Sequence, residues 1–192
     1  MGTKAFFTKS WPTRLGYYIA KWAPPTLGRM IVGVLARVAV YLKPDLYWSS
    51  LDNFSHIYKN ASAKELHRAV YKQIFNSLRC YYELFHNVGW GRRELKNFNP
   101  PVKIRPQTMT YVNEALASGR GLLIVGCHMS NFDLGGIGLS QYMPLPVQAL
   151  SLASPPPGFE FFNKIRSFGH GIITPINTDN LRKAMTRLKQ GG

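Results

Sequence analysis

The stretch SAKELHRAVYKQIFNSLRCYYELFHNV, residues 62 to 88, commits the chain to one kind of structure more firmly than any other segment. Leu66, Val70, Ile74, Leu78, Tyr81 or Tyr82, Phe85 and Val88 recur at helical intervals, so a single long helix with one apolar stripe facing the core is expected. Ser62 and Glu65 have capping-box spacing, in which each side chain bonds the backbone N–H of the other. Lys64, Arg68, Lys72 and Arg79 lie away from much of the stripe, which suits a solvated face as well as it suits headgroup contacts. Gly89 is expected to end the helix, and GWGRRELKNFNPPVKIRP to form a loop dense in glycine, proline and basic residues.

Ahead of this helix, TRLGYYIAKWAPPTLGRMIVGVLARVAVYLKP predicts two shorter ones, about Thr13 to Ala23 and Thr26 to Leu42, broken at Pro24 and Pro25 and stopped by Pro44. The second is strongly apolar but interrupted by Arg29 and Arg37, and its length is at the lower limit for crossing a bilayer. Two readings stay open from the residues alone. The helix lies in or dips into one leaflet, or it packs on the rest of the protein as a core helix.

Charge bears on that choice. The 192 residues hold 24 Lys and Arg against 9 Asp and Glu, a formal charge of +15, with 45% apolar residues. That balance excludes a disordered acidic chain and points to an anionic partner. Residues 1–60 carry eight basic and two acidic side chains, 61–120 ten and four, and 121–192 six and three. The excess is therefore concentrated early, among Trp, Tyr, Phe and Leu, a mixture suited to an interface where apolar groups meet acyl chains and cations meet anionic headgroups. Cys80 and Cys127 have no spacing that suggests zinc or a disulfide framework, so a reducing, cytoplasmic setting is the simpler expectation. MGTKAFFTKSWP lacks the apolar core of a secretory signal, and Phe6 stands where a myristoylation motif requires Ser or Thr.

Beyond residue 105 the pattern alternates. TMTYVNEALASG predicts a helix capped by Gly119; GLLIVGC predicts a continuously apolar strand buried on both faces; NFDLGGIGLSQY predicts a short helix; PVQALSL predicts a second strand. ASPPPG is a loop, FEFFNKIRSFG a helix, GIITPI a third strand bulged or peripheral at Pro175, and NTDNLRKAMTRLKQGG a capped helix. The expected class is therefore α/β, a mostly parallel sheet covered by helices and preceded by N-terminal membrane-associated helices. The expected division is residues 1–52 as interfacial helices and 53–192 as an α/β domain.

The chemistry concentrates in VGCHMSNFDL. His128 falls at the carboxyl end of the predicted strand and Asp133 in the first turn of the next helix, where open α/β sheets bind ligands. A neutral imidazole there can take a proton from an attacking hydroxyl, and a carboxylate on its other nitrogen fixes the tautomer. The plain alternative is a hydrogen-bonded strand-end histidine. Cys127, pointing to the opposite strand face, is expected to be buried and structural. Gly126, Gly135 and Gly136 match neither a P-loop nor a dinucleotide fingerprint, and His56, His67, His86 and His170 show no metal spacing.

LIVGCHMSNFDLGG resembles the His-x4-Asp/Glu box of membrane-associated lysophospholipid acyltransferases. Within them it resembles the bacterial lipid A biosynthesis acyltransferases, whose box is commonly His-x-Gly-Asn-Trp-Glu, and it is similar to the phosphatidylinositol mannoside acyltransferases, which share aspartate at the acidic position. LDNFSHIY and IFNSLRCYYELF look like that family's region before the catalytic strand, and FFNKIRSFGHGIITPI like its downstream Asn-x-x-Arg segment. The resemblance implies a glycerolipid acyltransferase-like fold, with His128 as general base, Asp133 as its carboxylate partner, and Asn131, the box asparagine, and Arg166 as substrate-binding residues, Arg166 meeting an anionic part of donor or acceptor. Ser130 and Phe132 depart from the family's glycine and tryptophan. The family continues past LKQGG, so a chain incomplete at its C-terminal end is expected.

The activity so implied is O-acyl transfer from acyl-CoA or acyl carrier protein to a hydroxyl of a glycolipid or lysolipid. It calls for no metal or other cofactor, and it would run at the cytoplasmic face of a membrane containing anionic lipids, with the protein peripheral or monotopic. Two rivals are a non-catalytic membrane-binding fragment and a basic nucleic-acid-binding module. The second lacks an RRM, a zinc finger or a Gly-x-x-Gly clamp, so nucleic acid is not an expected partner.

Overall fold

The computed structural model describes residues 10–91, 102–167 and 170–191. In chain order the elements are α1 (Ser10–Trp22), α2 (Pro25–Leu42), α3 (Asp45–Ile57), α4 (Ala63–Gly91), α5 (Pro106–Ala117), α6 (Phe132–Tyr142), β1 (Val147–Ser151), α7 (Pro157–Arg166), β2 (Gly171–Pro175) and α8 (Thr178–Lys189). Most of the predicted loop between α4 and α5 lies outside the described residues.

Helix α4, about 43 Å long at 1.5 Å per residue, is the beam on which the rest is hung. Its capping box forms as the sequence predicts: Ser62 N–H donates to Glu65 Oε2 at 2.8 Å and Glu65 N–H to Ser62 Oγ at 3.4 Å. The Ser62 hydroxyl, donating to Glu65 Oε2 at 2.7 Å, and then the Ser62 N–H hold the Glu65 carboxyl below its ordinary range. The helix continues to Gly91 instead of ending at Gly89. At Gly89 the lack of a side chain serves packing, because a Cβ there would lie 2.8 Å from Lys21 Cγ of α1.

Two cores share this beam. Toward its start, Val70 and Ile74 pack with Ala36 and Val40 of α2 and Tyr47 of α3. Toward its end, Leu84, Phe85 and Val88 pack with Tyr17 and Ala20 of α1, Leu134 and Ile137 of α6 and Ile165 of α7. Edge-to-face rings bind the second core, Tyr17 lying 5.9 Å from Phe85 and 5.6 Å from Phe161. Residues 52 and 53 both lie inside α3, a helix the sequence reading did not foresee, and α1 enters the same core as the cleft helices.

The break between α1 and α2 falls at the two prolines, with Pro25 at the first helical position, where its missing N–H costs nothing. Gly28 lets α2 cross α4 closely: a Cβ there would collide with the Tyr82 ring, whose hydroxyl donates to Ala23 O at 2.8 Å. Lys43 closes α2 in the left-handed conformation, φ 44°, its N–H bonding Ala39 O, and Pro44 follows.

The second half contains a β1–α7–β2 unit. The two strands are parallel, registered from Val147 opposite Gly171 to Ser151 opposite Pro175. Pro175 sits at the end of its strand, and Ile176 N–H still reaches Ser151 O at 2.9 Å. Gly119, φ 69°, ends the turn after α5, and Asn177 caps α8 by accepting from Asn180 N–H at 2.8 Å. Helices and a parallel sheet are thus present, but the sheet has two strands and not the larger set predicted.

GLLIVGC accounts for the difference. The run makes no ladder; Leu123 and Val125 are 74% and 86% exposed, and its tie to the fold is Gly121 N–H bonding Leu188 O at 3.0 Å. A buried strand needs neighbours on both edges for its N–H and C=O groups, and the described strands pair with each other instead. Cys127, expected to be buried, is exposed for the same reason.

Candidate active site

The apolar run borders a broad cleft of ≈ 1280 Å³, between the segment 122–139 and β1, β2 and α8. Leu122, Ile124, Met143, Leu150 and Ile173 supply apolar wall, and His128, Asn131, Asp133 and Arg166 supply polar groups. All four residues singled out from the sequence therefore border one cavity.

Their connections differ from those expected. Asn131 is the N-cap of α6: its Oδ1 accepts from Leu134 N–H at 3.3 Å, and its amide donates to Glu83 Oε2 at 3.1 Å and Cys80 O at 3.2 Å. Asn131 thus fixes the start of α6 and ties it to α4. Asp133 stands in the first turn of α6, where the helix dipole favours a carboxylate. Arg166 Nη2 donates to Asp133 Oδ2 at 3.1 Å, and Arg166 Nε lies 2.8 Å from Asp133 Oδ1 as an ion-pair contact without hydrogen-bond alignment. This fork joins α6 to α7 at side chains 17% and 24% exposed, and Arg166 also lies 5.1 Å over the Phe162 ring.

His128 and Asp133 make no hydrogen bond with each other. The His128 ring stacks on Phe132, centroids 4.6 Å apart and planes 17° apart, on an exposed turn. The Asp133 carboxylate is engaged by the Arg166 guanidinium instead. Ser130, between them, has φ 55°, a left-handed backbone that a side chain disfavours.

Two further residues escaped the sequence reading. Glu83 holds Asn131 and pairs with Arg79 at 3.4 Å; only its i,i+4 spacing from Arg79 was visible beforehand. Arg187 of α8 borders the cleft, and its Nη1 is buried with no hydrogen-bond partner among the described residues. Nothing local in TRLK marks it. Burial beside these groups pushes the Cys80 thiol up, with Glu83 adding to the shift, and burial with the Asp133 charge pushes the Tyr81 hydroxyl up.

The other histidines make ordinary contacts: His67 Nδ1 meets Tyr47 OH at 3.0 Å, His86 Nδ1 meets Ala20 O at 2.8 Å, and His56 Nδ1 meets Asp52 O at 2.8 Å. Among the described residues no three His, Cys, Asp or Glu side chains gather as metal ligands. The chain matches no family model, no curated protein and no solved structure.

Proposed function

We propose that the protein is a membrane-associated O-acyltransferase with a glycerolipid acyltransferase-like fold, moving an acyl chain from acyl-CoA or acyl carrier protein to a hydroxyl of a glycolipid or lysolipid. The observation that carries this reading is the cleft itself, with apolar wall suited to an acyl chain and a polar group of His128, Asn131, Asp133 and Arg166. Ser130 adds support, since its left-handed backbone falls at the box position where the resembled family carries glycine. The working surface is the cytoplasmic face of a membrane.

In this reading the acceptor oxygen attacks the thioester carbonyl carbon and passes its proton to the His128 imidazole. The C–S bond then breaks, and the proton returns to the departing thiolate. Asp133 reaches His128 once Arg166 exchanges its carboxylate for an anionic group of the substrate. A guanidinium fork accepts phosphate as readily as carboxylate, and the orphan Nη1 of Arg187 offers a second donor in the same cleft. Among the described residues His128 is held by its stack on Phe132 and by no hydrogen bond, so turning it toward Asp133 breaks one ring contact.

Binding is carried separately by α1 and α2. Helix α2 is long and apolar enough to cross a membrane, but it packs lengthwise on α4, whose Lys64, Arg68, Lys72 and Arg79 would have to enter the bilayer with it. Lying along the interface avoids that cost. The alternative of a non-catalytic membrane-binding element draws on Asp133 being engaged by Arg166.

Transfer of labelled acyl chains from acyl-CoA or acyl carrier protein to glycolipid or lysolipid in vesicles decides between the two. His128→Ala is expected to lower turnover by about 100-fold or more while vesicle binding is kept. Unchanged turnover in the variant, or no turnover in the parent with any donor, rejects the enzyme reading.

A further inference from the structure

A second cavity, of ≈ 780 Å³, opens where the end of α2 meets the start of α4. Arg37 and Lys43 line it from one side, and Lys64 and Arg68 from the other. Among the described residues none of the four pairs with a carboxylate, and no carboxylate lines the cavity. Glu65, next to Lys64, is turned back onto Ser62 by the capping box, and Asp45, two residues after Lys43, opens α3 and does not line the cavity. The arrangement is preset: Lys43 is fixed by its left-handed cap and lies 5.8 and 5.6 Å over the Tyr47 and Trp48 rings. Like charges gathered this way repel one another unless an anion sits among them.

The cavity adjoins an apolar face that no described residue covers. Leu27, Met30, Val34, Val38 and Tyr41 follow one another at three- and four-residue steps, forming an outward stripe on α2. Met30 is 68% exposed and Tyr41 85%. The opposite stripe, Val32, Ala36 and Val40, is the one buried against α4. Tyr41 belongs to both the outward stripe and the cavity wall, and Arg37 stands one turn before it. An apolar face running into a cluster of unpaired cations matches the two ends of an amphiphile, acyl chain and phosphate.

We propose that this cavity binds the phosphate of an anionic lipid headgroup, the acyl chains of that lipid lying along the outward stripe of α2. The site lies at the α2–α4 junction, away from the His128 cleft, and sets the depth and tilt at which the protein sits. It rests on the reading of the protein as working at a membrane face, and is independent of whether it transfers acyl groups. Free phosphate satisfies the cations but leaves the stripe bare; RNA does the same.

Vesicle co-sedimentation of the full chain tests it, using phosphatidylcholine alone and phosphatidylcholine mixed with phosphatidylglycerol. Arg37→Gln with Arg68→Gln is expected to weaken partitioning onto the mixed vesicles by roughly 25-fold, from the worth of two cations at an anionic surface, and to change binding to phosphatidylcholine little. Lys183→Gln with Lys189→Gln on α8, removing equal charge from another surface, is expected to stay within about twofold of the parent. Inorganic phosphate at matched ionic strength is expected not to displace the protein. Equal losses in the two double variants, undiminished binding by the first, or displacement by phosphate or by random RNA overturns the site. A parent that binds neither vesicle overturns the membrane reading as well, whereas failed acyl transfer with binding intact touches only the enzyme assignment.

Discussion

Helix α2 and the run GLLIVGC are both strongly apolar, and both leave large side chains in contact with solvent, yet they stand in opposite structural states. Helix α2 closes its own hydrogen bonds, buries Val32, Ala36 and Val40, and leaves one stripe outside. The run 121–127 has no ladder, and Gly121 N–H bonds Leu188 O. An apolar helix is a finished object before it finds a partner, while an apolar strand is not, because half of its polar backbone must be satisfied by another segment. The exposed stripe of α2 therefore reads as a surface for something else, and the exposed run as a wall that lines the cleft.

The comparison breaks most visibly at the shared core. Leu84, 1% exposed, contacts the core that joins α1, α6 and α7, so Leu84→Ala is expected to cost about 2–5 kcal/mol. Urea unfolding followed by far-UV and near-UV signals should shift as one transition; separate transitions for the N-terminal helices and the cleft would show that the two regions do not share a core. Next in size is Asp133→Asn, which leaves the Arg166 guanidinium without its carboxylate at a half-buried contact. A loss of about 1–2 kcal/mol is expected, between the values for exposed and buried pairs. A double-mutant cycle with Arg166→Met measures the coupling, and a coupling of zero would remove the fork as the link between α6 and α7.

Ser130→Gly is smaller and opposite in sign. Relief of the left-handed backbone, partly offset by the flexibility glycine adds to the unfolded chain, is expected to raise stability by about 0.5–1 kcal/mol. A destabilised variant would mean that the Ser130 side chain supplies something its backbone angle conceals. The smallest expected effect bears most directly on the contrast between helix and run. Val125→Asp should change the unfolding midpoint by no more than about 0.5 kcal/mol, since the side chain meets solvent. A loss of several kcal/mol would show that the run is buried after all, as its composition suggests.

Much of the fold was legible because it is local. The proline break after α1, the Ser62–Glu65 box, the Gly119 turn, the Asn177 cap and both observed strands follow from residues within a few positions of one another. The stripe on α4 announced Val70, Ile74, Phe85 and Val88 as core, and they are buried. Helix α3 was missed although Tyr47, Leu51 and Phe54 recur at four- and three-residue steps, a period too short in this segment to stand out before α4 covers it. At the site, the four flagged residues do border one cleft, but nothing in the spacing of His128 and Asp133 revealed that Arg166, 33 residues beyond Asp133, would hold that carboxylate.

By itself the sequence determined the proline break after α1, the caps of α4 and α8 and the apolar stripe of α4, since capping, proline geometry and period act over a turn or two of backbone. Tertiary structure alone decided which apolar segments found cover, which carboxylate met which cation, and that Arg187 would bring an unpaired donor to the cleft. Those outcomes depend on the competition among distant groups for a limited number of partners, and no local pattern records the result.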